Sequence, residues 1–152
     1  MDFEKILSES IDAFNAKRLN CAETVVSCMS RYLGIESDLL PRLATPFGGG
    51  IGGTQKLCGL VSGGLMIIGI LYGREEGGDQ VPAKNIARDF MAAFEKEAQA
   101  LTCRELIRVD TSIPEQAQAM RAPGGAHYTV CVPLTGWVCR YLKALADAKA
   151  DK

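Results

Sequence analysis

The feature that most constrains the fold is an uncharged stretch of 15 residues from Gly59 to Gly73. A helix that spans a bilayer needs roughly 17–25 apolar residues, so this stretch predicts a buried helix over about 58–72 instead. The helix has no polar face, which places it at the centre of the fold. Gly59 and Gly63 lie on one side of it, and we expect the backbone of another element to approach them closely.

Helical spacing of apolar residues continues on both sides of this central helix. Asn20 followed by Glu23 is typical of a capping box, so a second helix begins there and ends at Gly34. The remaining predicted segments are a first helix over about 2–17, a short helical turn over 37–44, a helix from Pro82 to the Cys103 region, and a last helix from about 131–134 onward.

Strand patterns are nearly missing from the sequence. The one candidate, His127 to Val132, is short and leads into the last helix, and residues 109–127 form the least regular stretch. We find no internal repeat and no linker. The sequence therefore predicts an all-α fold, a compact bundle of about five to six helices around the glycine-rich helix, with 1–152 as a single domain.

The charge and composition of the chain argue against some classes of binding partner. The net charge is −1, aromatic residues are 7%, and no basic run occurs, which argues against nucleic-acid binding. The chain opens on Met1-Asp2-Phe3 without the basic start and apolar run of a secretory signal. We therefore expect a cytoplasmic protein that does not bind membranes, in which six cysteines serve as thiols, metal ligands or redox centres.

Cys58 is the cysteine with the most suggestive position. It follows a glycine-rich loop and opens the central helix, where unpaired N–H groups and the helix dipole favour a thiolate, and Lys56 would add positive charge. Burial would act in the opposite direction on its pKa. Cys58 is either a catalytic or ligating thiolate or a small apolar residue in the core.

The other five cysteines divide by position. Cys21 starts the second helix, whereas Cys28 lies two turns further along and is better explained by packing, because one metal ion cannot bind both. Cys131 precedes the last helix and is a better ligand than Cys139, which is the fallback. Cys103 follows the last core residue of the helix that begins at Pro82. It is either a residue of the functional site or part of a short helix.

Several alternative chemistries have little support. Gly48-x-Gly50-x-x-Gly53 matches a dinucleotide fingerprint, but the strand that should precede it is missing. No Cys-x-x-Cys occurs, which argues against a thioredoxin-like motif and a local zinc knuckle. His127 is the sole histidine, and a lone histidine in a loop is usually solvated rather than a ligand or a base.

The ordered motifs resemble a known family, the four-cysteine CGAxxG (C_GCAxxG_C_C) family of proteins taken to be redox-active, which is similar to part of split-Soret cytochromes c. The matching segments, which cover about residues 12–145, are Asn20-Cys21-Ala22-Glu23-Thr24-Val25, Phe47-Gly48-Gly49-Gly50, Cys58-Gly59-Leu60-Val61-Ser62-Gly63-Gly64-Leu65-Met66, Cys103-Arg104-Glu105-Leu106-Ile107 and a late cysteine. The resemblance implies one functional cysteine from each of four segments: Cys21, Cys58, Cys103 and Cys131. Leu60 departs from the family motif, which has Ala there.

These residues predict electron transfer or redox sensing, compatible with an oxidoreductase. We expect the four cysteines to bind an iron–sulfur cluster, and we favour the [2Fe–2S] type. Backbone N–H groups of the glycines would bond to sulfur at Gly48, Gly49, Gly50 and Gly59. The alternatives are a metal-free thiol/disulfide protein using Cys58 with a resolving cysteine and, less favoured, a structural zinc domain. The redox partner is not identified by the sequence, and the apolar glycine-faced helix suggests a homodimer.

Overall fold

The computed structural model describes residues 2–151. Its eight α-helices are α1 (Phe3–Asn15), α2 (Cys21–Tyr32), α3 (Leu39–Ala44), α4 (Gly59–Tyr72), α5 (Val81–Ala98), α6 (Cys103–Ile107), α7 (Pro114–Arg121) and α8 (Val132–Ala150). A 3-10 turn (Thr45–Phe47) follows α3, and a π-helix (His127–Cys131) runs directly into α8. The only β-structure within the described residues is an isolated antiparallel bridge between Leu57 and Thr102. The all-α prediction is confirmed, with more and shorter helices than expected.

The central position of α4 is also confirmed. Nine of its fourteen residues are buried, and it packs against α2, α5 and α8. A Cβ on Gly63 would lie 2.8 Å from the Ala22 carbonyl oxygen, so α2 approaches the helix at backbone distance. The glycine face of α4 is therefore covered by α2 of the same chain.

Two sequence features set where α2 begins. The Asn20 side chain accepts from the backbone N–H of Glu23, and the Glu23 carboxylate accepts from the backbone N–H of Asn20 at 2.8 Å. This capping box fixes the first turn of α2 against the 3-10 turn that precedes the glycine-rich loop, because Asn20 Nδ2 also donates to the Thr45 carbonyl oxygen at 3.0 Å.

Residues 109–127, expected to be irregular, contain the eight-residue helix α7. Pro114 occupies its first turn, where a missing N–H costs nothing. None of its residues is buried, so apolar periodicity gave no signal for it. The helix expected from Pro82 to the Cys103 region is divided into α5 and α6. The division occurs because Gln99 adopts a left-handed φ of 64° and ends α5.

The described residues contain no helix with both the length and the apolar character required to span a bilayer.

Candidate functional site

Four cysteines line one small cavity of about 90 Å³. Cys21 is the first residue of α2, Cys58 directly precedes α4, Cys103 is the first residue of α6, and Cys131 is the last residue of the π-helix. Most of the remaining wall is apolar, and it includes Phe14, Leu60, Leu106, Ile107, Val130 and Leu134. The fold thus brings together one thiol from each of the four segments.

A short backbone pairing places Cys58 beside the segment of Cys103. The Cys58 N–H donates to the Leu101 carbonyl oxygen, and the Cys103 N–H donates to the Lys56 carbonyl oxygen, both at 2.8 Å. These bonds flank the Leu57–Thr102 bridge. Cys58 and Cys103, which are 45 residues apart in sequence, are held side by side at the starts of α4 and α6 in this way.

Cys21 lies against the first turn of α4. A Cβ built on Gly59 would collide with the Cys21 sulfur, so only glycine fits at that position. Backbone N–H groups of Gly49, Ala22, Cys21 itself and Gly59 interact with this sulfur and lower its pKa. Burial of the thiol is the larger effect, and the pKa of Cys21 is raised overall.

The pKa of Cys58 is raised, whereas the N-terminus of a helix by itself would lower it. Burial raises it well above the ordinary thiol value, and the neighbouring thiols of Cys21, Cys131 and Cys103 raise it further. The Cys58 side chain is buried, and the backbone N–H of Cys58 donates to the Leu101 carbonyl oxygen. Lys56 is exposed to solvent. Desolvation therefore outweighs the dipole of α4 at Cys58, which answers the question that the sequence left open between these two opposing effects.

Cys103 and Cys131 show the same behaviour. Burial, followed by the charge of Cys21, raises the pKa of Cys103 to about 11 and that of Cys131 to about 12. The side chain of Gln55 bonds to Cys103 and lowers its pKa, and Arg121 lowers that of Cys131. All four thiols are hence protonated at neutral pH unless a positive centre compensates their charges.

Gln55 and Arg121 are site residues that the sequence did not reveal. Gln55 is buried with φ of 57°, and its amide is held by Val109 and Thr111. Arg121 ends α7, and its guanidinium lies 5.9 Å from the centre of the Phe14 ring. Neither residue belongs to a sequence motif: Arg121 lines the cavity and Gln55 bonds to Cys103, and both positions depend on tertiary contacts.

The glycine-rich loop contributes unequally to the cavity. Gly49 and Gly59 line it, whereas Gly48 packs on the Asn20 side chain and Gly50 on the backbone of Gln55 and Lys56. Gly49 and Gly50 have φ of 63° and 74°, which other residues rarely adopt. The dinucleotide fingerprint in this loop has no strand before it within residues 2–151.

Cys28 and Cys139 lie away from the cavity. Both are fully buried, in α2 and α8 respectively, and their thiols interact with each other. The structure therefore places Cys131, and not the fallback Cys139, with the other three cysteines.

His127 is buried, in contrast to the solvated position expected of it. It is 1% exposed, its Nε2 lies 2.9 Å from Asn15 Oδ1, and its Nδ1 has no hydrogen-bond partner in the described chain. Burial, with Arg121 and Lys17 nearby, lowers its pKa to about 4. Its ring packs on Phe14 and anchors the start of the π-helix that ends at Cys131.

The four thiols do not form a preformed site for a single metal ion. Among residues 2–151, no group of three or more His, Cys, Asp or Glu side chains is arranged to hold a metal ion. The thiols line the cavity without closing around a single point.

Comparison with known proteins gives one match. A family model described as "Putative redox-active protein (C_GCAxxG_C_C)" matches residues 19–145. No curated protein and no solved structure is significantly similar to the chain.

Proposed function

The chain belongs to the C_GCAxxG_C_C family of redox-active proteins, and we propose that it transfers or senses electrons through an iron–sulfur cluster held by Cys21, Cys58, Cys103 and Cys131. Four thiolates can hold either a [2Fe–2S] or a [4Fe–4S] cluster, and we propose the smaller [2Fe–2S] form because the cavity is small. The observation that supports this most strongly is the shared cavity, to which four separate segments each contribute one thiol.

The donor set fits such a cluster in its chemistry. Thiolates are the ligands that iron–sulfur clusters take, and the thiols of Cys21, Cys58, Cys103 and Cys131 would supply four of them. The cavity is narrow and its thiols do not enclose a single point. Binding would therefore require the side chains that line the cavity to rearrange around the cluster. The cluster would supply one-electron transfer at the site.

The charge balance gives a second argument. Cys21, Cys103 and Cys131 raise the pKa of neighbouring thiols, because ionising several thiols in one apolar cavity brings like charges together. Iron would remove that penalty. The N–H groups around Cys21 would bond to its thiolate and stabilise the remaining negative charge. Arg121 would contribute a positive charge near Cys131.

The raised pKa values disfavour the metal-free alternative at this site. Thiol–disulfide exchange begins with a thiolate, and a buried Cys58 with a raised pKa is a poor nucleophile at neutral pH. Cys58 is therefore better explained as a ligand than as an attacking group. A structural zinc ion shares the ligand set but lacks redox chemistry, so metal analysis distinguishes it from a cluster.

The test is an absorption spectrum from 300 to 600 nm of protein purified without oxygen or reconstituted with iron and sulfide. We expect the charge-transfer bands of a thiolate-bound cluster in the parent protein, and their loss in Cys21→Ser, Cys58→Ser, Cys103→Ser and Cys131→Ser. Cys28→Ser and Cys139→Ser are the matched controls, because these thiols lie outside the cavity.

Two results would contradict the proposal. One is a folded parent protein that stays colourless after reconstitution. The other is a spectrum that depends on Cys28 or Cys139 as strongly as on the four cavity cysteines.

A further inference from the structure

The last turn of α7 forms part of the wall between the four-cysteine cavity and solvent. Met120 and Arg121 line the cavity, and both side chains are half-buried. Met120 also lines a wide open groove of about 550 Å³, together with Ala119. None of the residues of α7 is fully buried, so the helix has little apolar packing of its own to hold it in place. Polar contacts at its two ends are therefore needed to keep it over the cavity.

The turn before α7 is fastened to the segment that follows the glycine-rich loop by one side chain. Gln55 Nε2 donates to the Val109 carbonyl oxygen at 2.8 Å, and Gln55 Oε1 accepts from the Thr111 N–H at 2.9 Å. The turn is joined to α7 as well, because the Asp110 N–H donates to Gln116 Oε1 at 2.6 Å. A continuous set of hydrogen bonds thus connects Gln55 to the helix that covers the cavity.

The other end of α7 is fixed to the site itself. A Cβ built on Gly125 would collide with the carbonyl oxygens of Ala119 and Met120, so the backbones are in contact there. The Gly125 N–H donates to the Ala122 carbonyl oxygen at 2.8 Å. Gly125 lies just before the π-helix that ends at Cys131. The Gln55 end is therefore the one that can release α7 while the cysteines stay in place.

The backbone of Gln55 adopts a conformation that suits glycine better than glutamine. Its φ is 57°, and its side chain is 7% exposed. Gln99 is a useful comparison in the same chain, because it has a similar φ of 64° but is exposed, and its amide donates to the Lys96 carbonyl oxygen of its own helix. Strained residues persist where the surrounding contacts hold them, and at Gln55 those contacts are the two bonds to the turn before α7.

We infer that Gln55 is a positioning residue of the four-cysteine site, whose amide holds α7 over the cavity and so limits the access of solutes to the thiols. The inference rests on the proposed function only for the identity of those solutes, which would be the iron and sulfide that build a cluster. Its steric part applies to the metal-free chain as well, since Met120 and Arg121 stand between the cavity and solvent whatever the cavity holds.

The experiment measures how fast Cys58 reacts with N-ethylmaleimide in reduced, metal-free, folded, full-length protein. Cys58 is buried in the cavity wall, and it is the sole cysteine of its tryptic peptide, residues 57–74. We expect Gln55→Gly to accelerate this labelling by about tenfold, because the loss of two hydrogen bonds favours local opening of α7. Glycine adopts the φ of 57° without strain, so this substitution removes the amide and leaves the backbone comfortable.

Two controls separate opening of the cavity from other effects. Gln99→Gly removes an amide from the same kind of backbone conformation outside this connection, and it should leave the Cys58 rate unchanged. Cys139 is 0% exposed and lies outside the cavity, so its labelling reports unfolding of the whole chain and should stay slow in every variant. Chymotrypsin, which cleaves after Trp137, separates Cys139 from Cys131 for this measurement.

A second variant keeps the inference testable if Gln55→Gly does not fold. Gln116→Ala cuts the bond between α7 and Asp110, and it should also accelerate Cys58 labelling. Gln118→Ala is its matched control, because Gln118 is exposed on the same helix.

The inference is overturned if folded Gln55→Gly, or Gln116→Ala in its place, reacts at the parent's rate. It is equally overturned if Cys139 is accelerated as much as Cys58, or if the control variants have the same effect. A parent protein that stays colourless after reconstitution, while these rates differ as expected, contradicts the iron–sulfur proposal and leaves the role of Gln55 standing.

Discussion

Among single residues, His127 makes the free energy of unfolding depend on pH most directly. Burial lowers its pKa from about 6.5 to about 4, so the folded chain binds its proton less tightly than the unfolded chain does. The unfolded chain therefore takes up more protons between these values, and the free energy of unfolding falls as the pH decreases through this window. Stability from the neutral imidazole is fully present above about pH 6.5.

The prediction is that acidification from pH 7 to pH 4 costs the parent protein at most about 3 kcal/mol more than it costs His127→Gln. Urea unfolding at a series of pH values measures this difference. His127→Gln should be less stable than the parent at pH 7, because Gln replaces a ring packed on Phe14. Parallel stability curves for the two proteins would show that His127 is protonated as readily in the folded as in the unfolded chain.

At the scale of helices, the contact between α2 and α4 depends on Gly63. A Cβ there would lie 2.8 Å from the Ala22 carbonyl oxygen and 3.1 Å from Val25 Cβ, which forces the helices apart. Gly69 lies on the same helix, is exposed, and has open space at its Cβ position. The two glycines therefore form a matched pair for substitution.

We expect Gly63→Ala to lower the free energy of unfolding by about 1–3 kcal/mol through overpacking. Gly69→Ala should raise it by up to about 1 kcal/mol, because alanine has the higher helix propensity. Denaturant unfolding of both variants measures the difference. Equal effects of the two substitutions would mean that α2 does not constrain α4 at Gly63.

The elements show what the sequence could predict. Asn20 and Glu23 identified the start of α2 because capping depends on residues only three positions apart. The charge-free stretch identified α4, and its glycines predicted the close approach of a neighbour. The solvent-exposed helix α7 gave no periodic signal, and the break at Gln99 depends on one left-handed residue.

The sequence was sufficient to predict which cysteines form the candidate site. It was not sufficient to predict their pKa values. Four segments each supplied one cysteine in a recognisable order, and the structure brings those four thiols to one cavity. The pKa of Cys58 depends on burial by residues from distant segments, and no local pattern reports that burial. The contact between Cys28 and Cys139 depends on the packing of α2 on α8, 111 residues further along the chain, for the same reason.

At the scale of the whole molecule, α3 and α4 present an exposed apolar surface. It consists of Leu39 and Leu43 on α3 and Ile70 on α4, which are 57%, 61% and 40% exposed. An open groove between α3 and α4 adjoins it, with Gly69 in its wall. The glycine face that first suggested a homodimer is covered by α2, so this second surface is where we expect two copies to associate.

Light scattering at micromolar concentration tests this expectation. The parent protein should have the mass of a dimer, and Leu43→Glu should shift it toward the monomer because it places a charge in the apolar contact. Val81→Glu is the matched control, since Val81 is 54% exposed at the start of α5, outside this surface. A monomeric parent protein, or an equal effect of both variants, would contradict it.

The central claim is that the four cavity cysteines bind an iron–sulfur cluster, and the iron and acid-labile sulfide content of anaerobically purified protein tests it most directly. A [2Fe–2S] cluster predicts about two irons and about two sulfides per chain. Cys28→Ser should keep both values, and Cys58→Ser should lose both. A folded parent protein that contains neither iron nor sulfide after reconstitution, or that contains zinc in their place, would contradict the account.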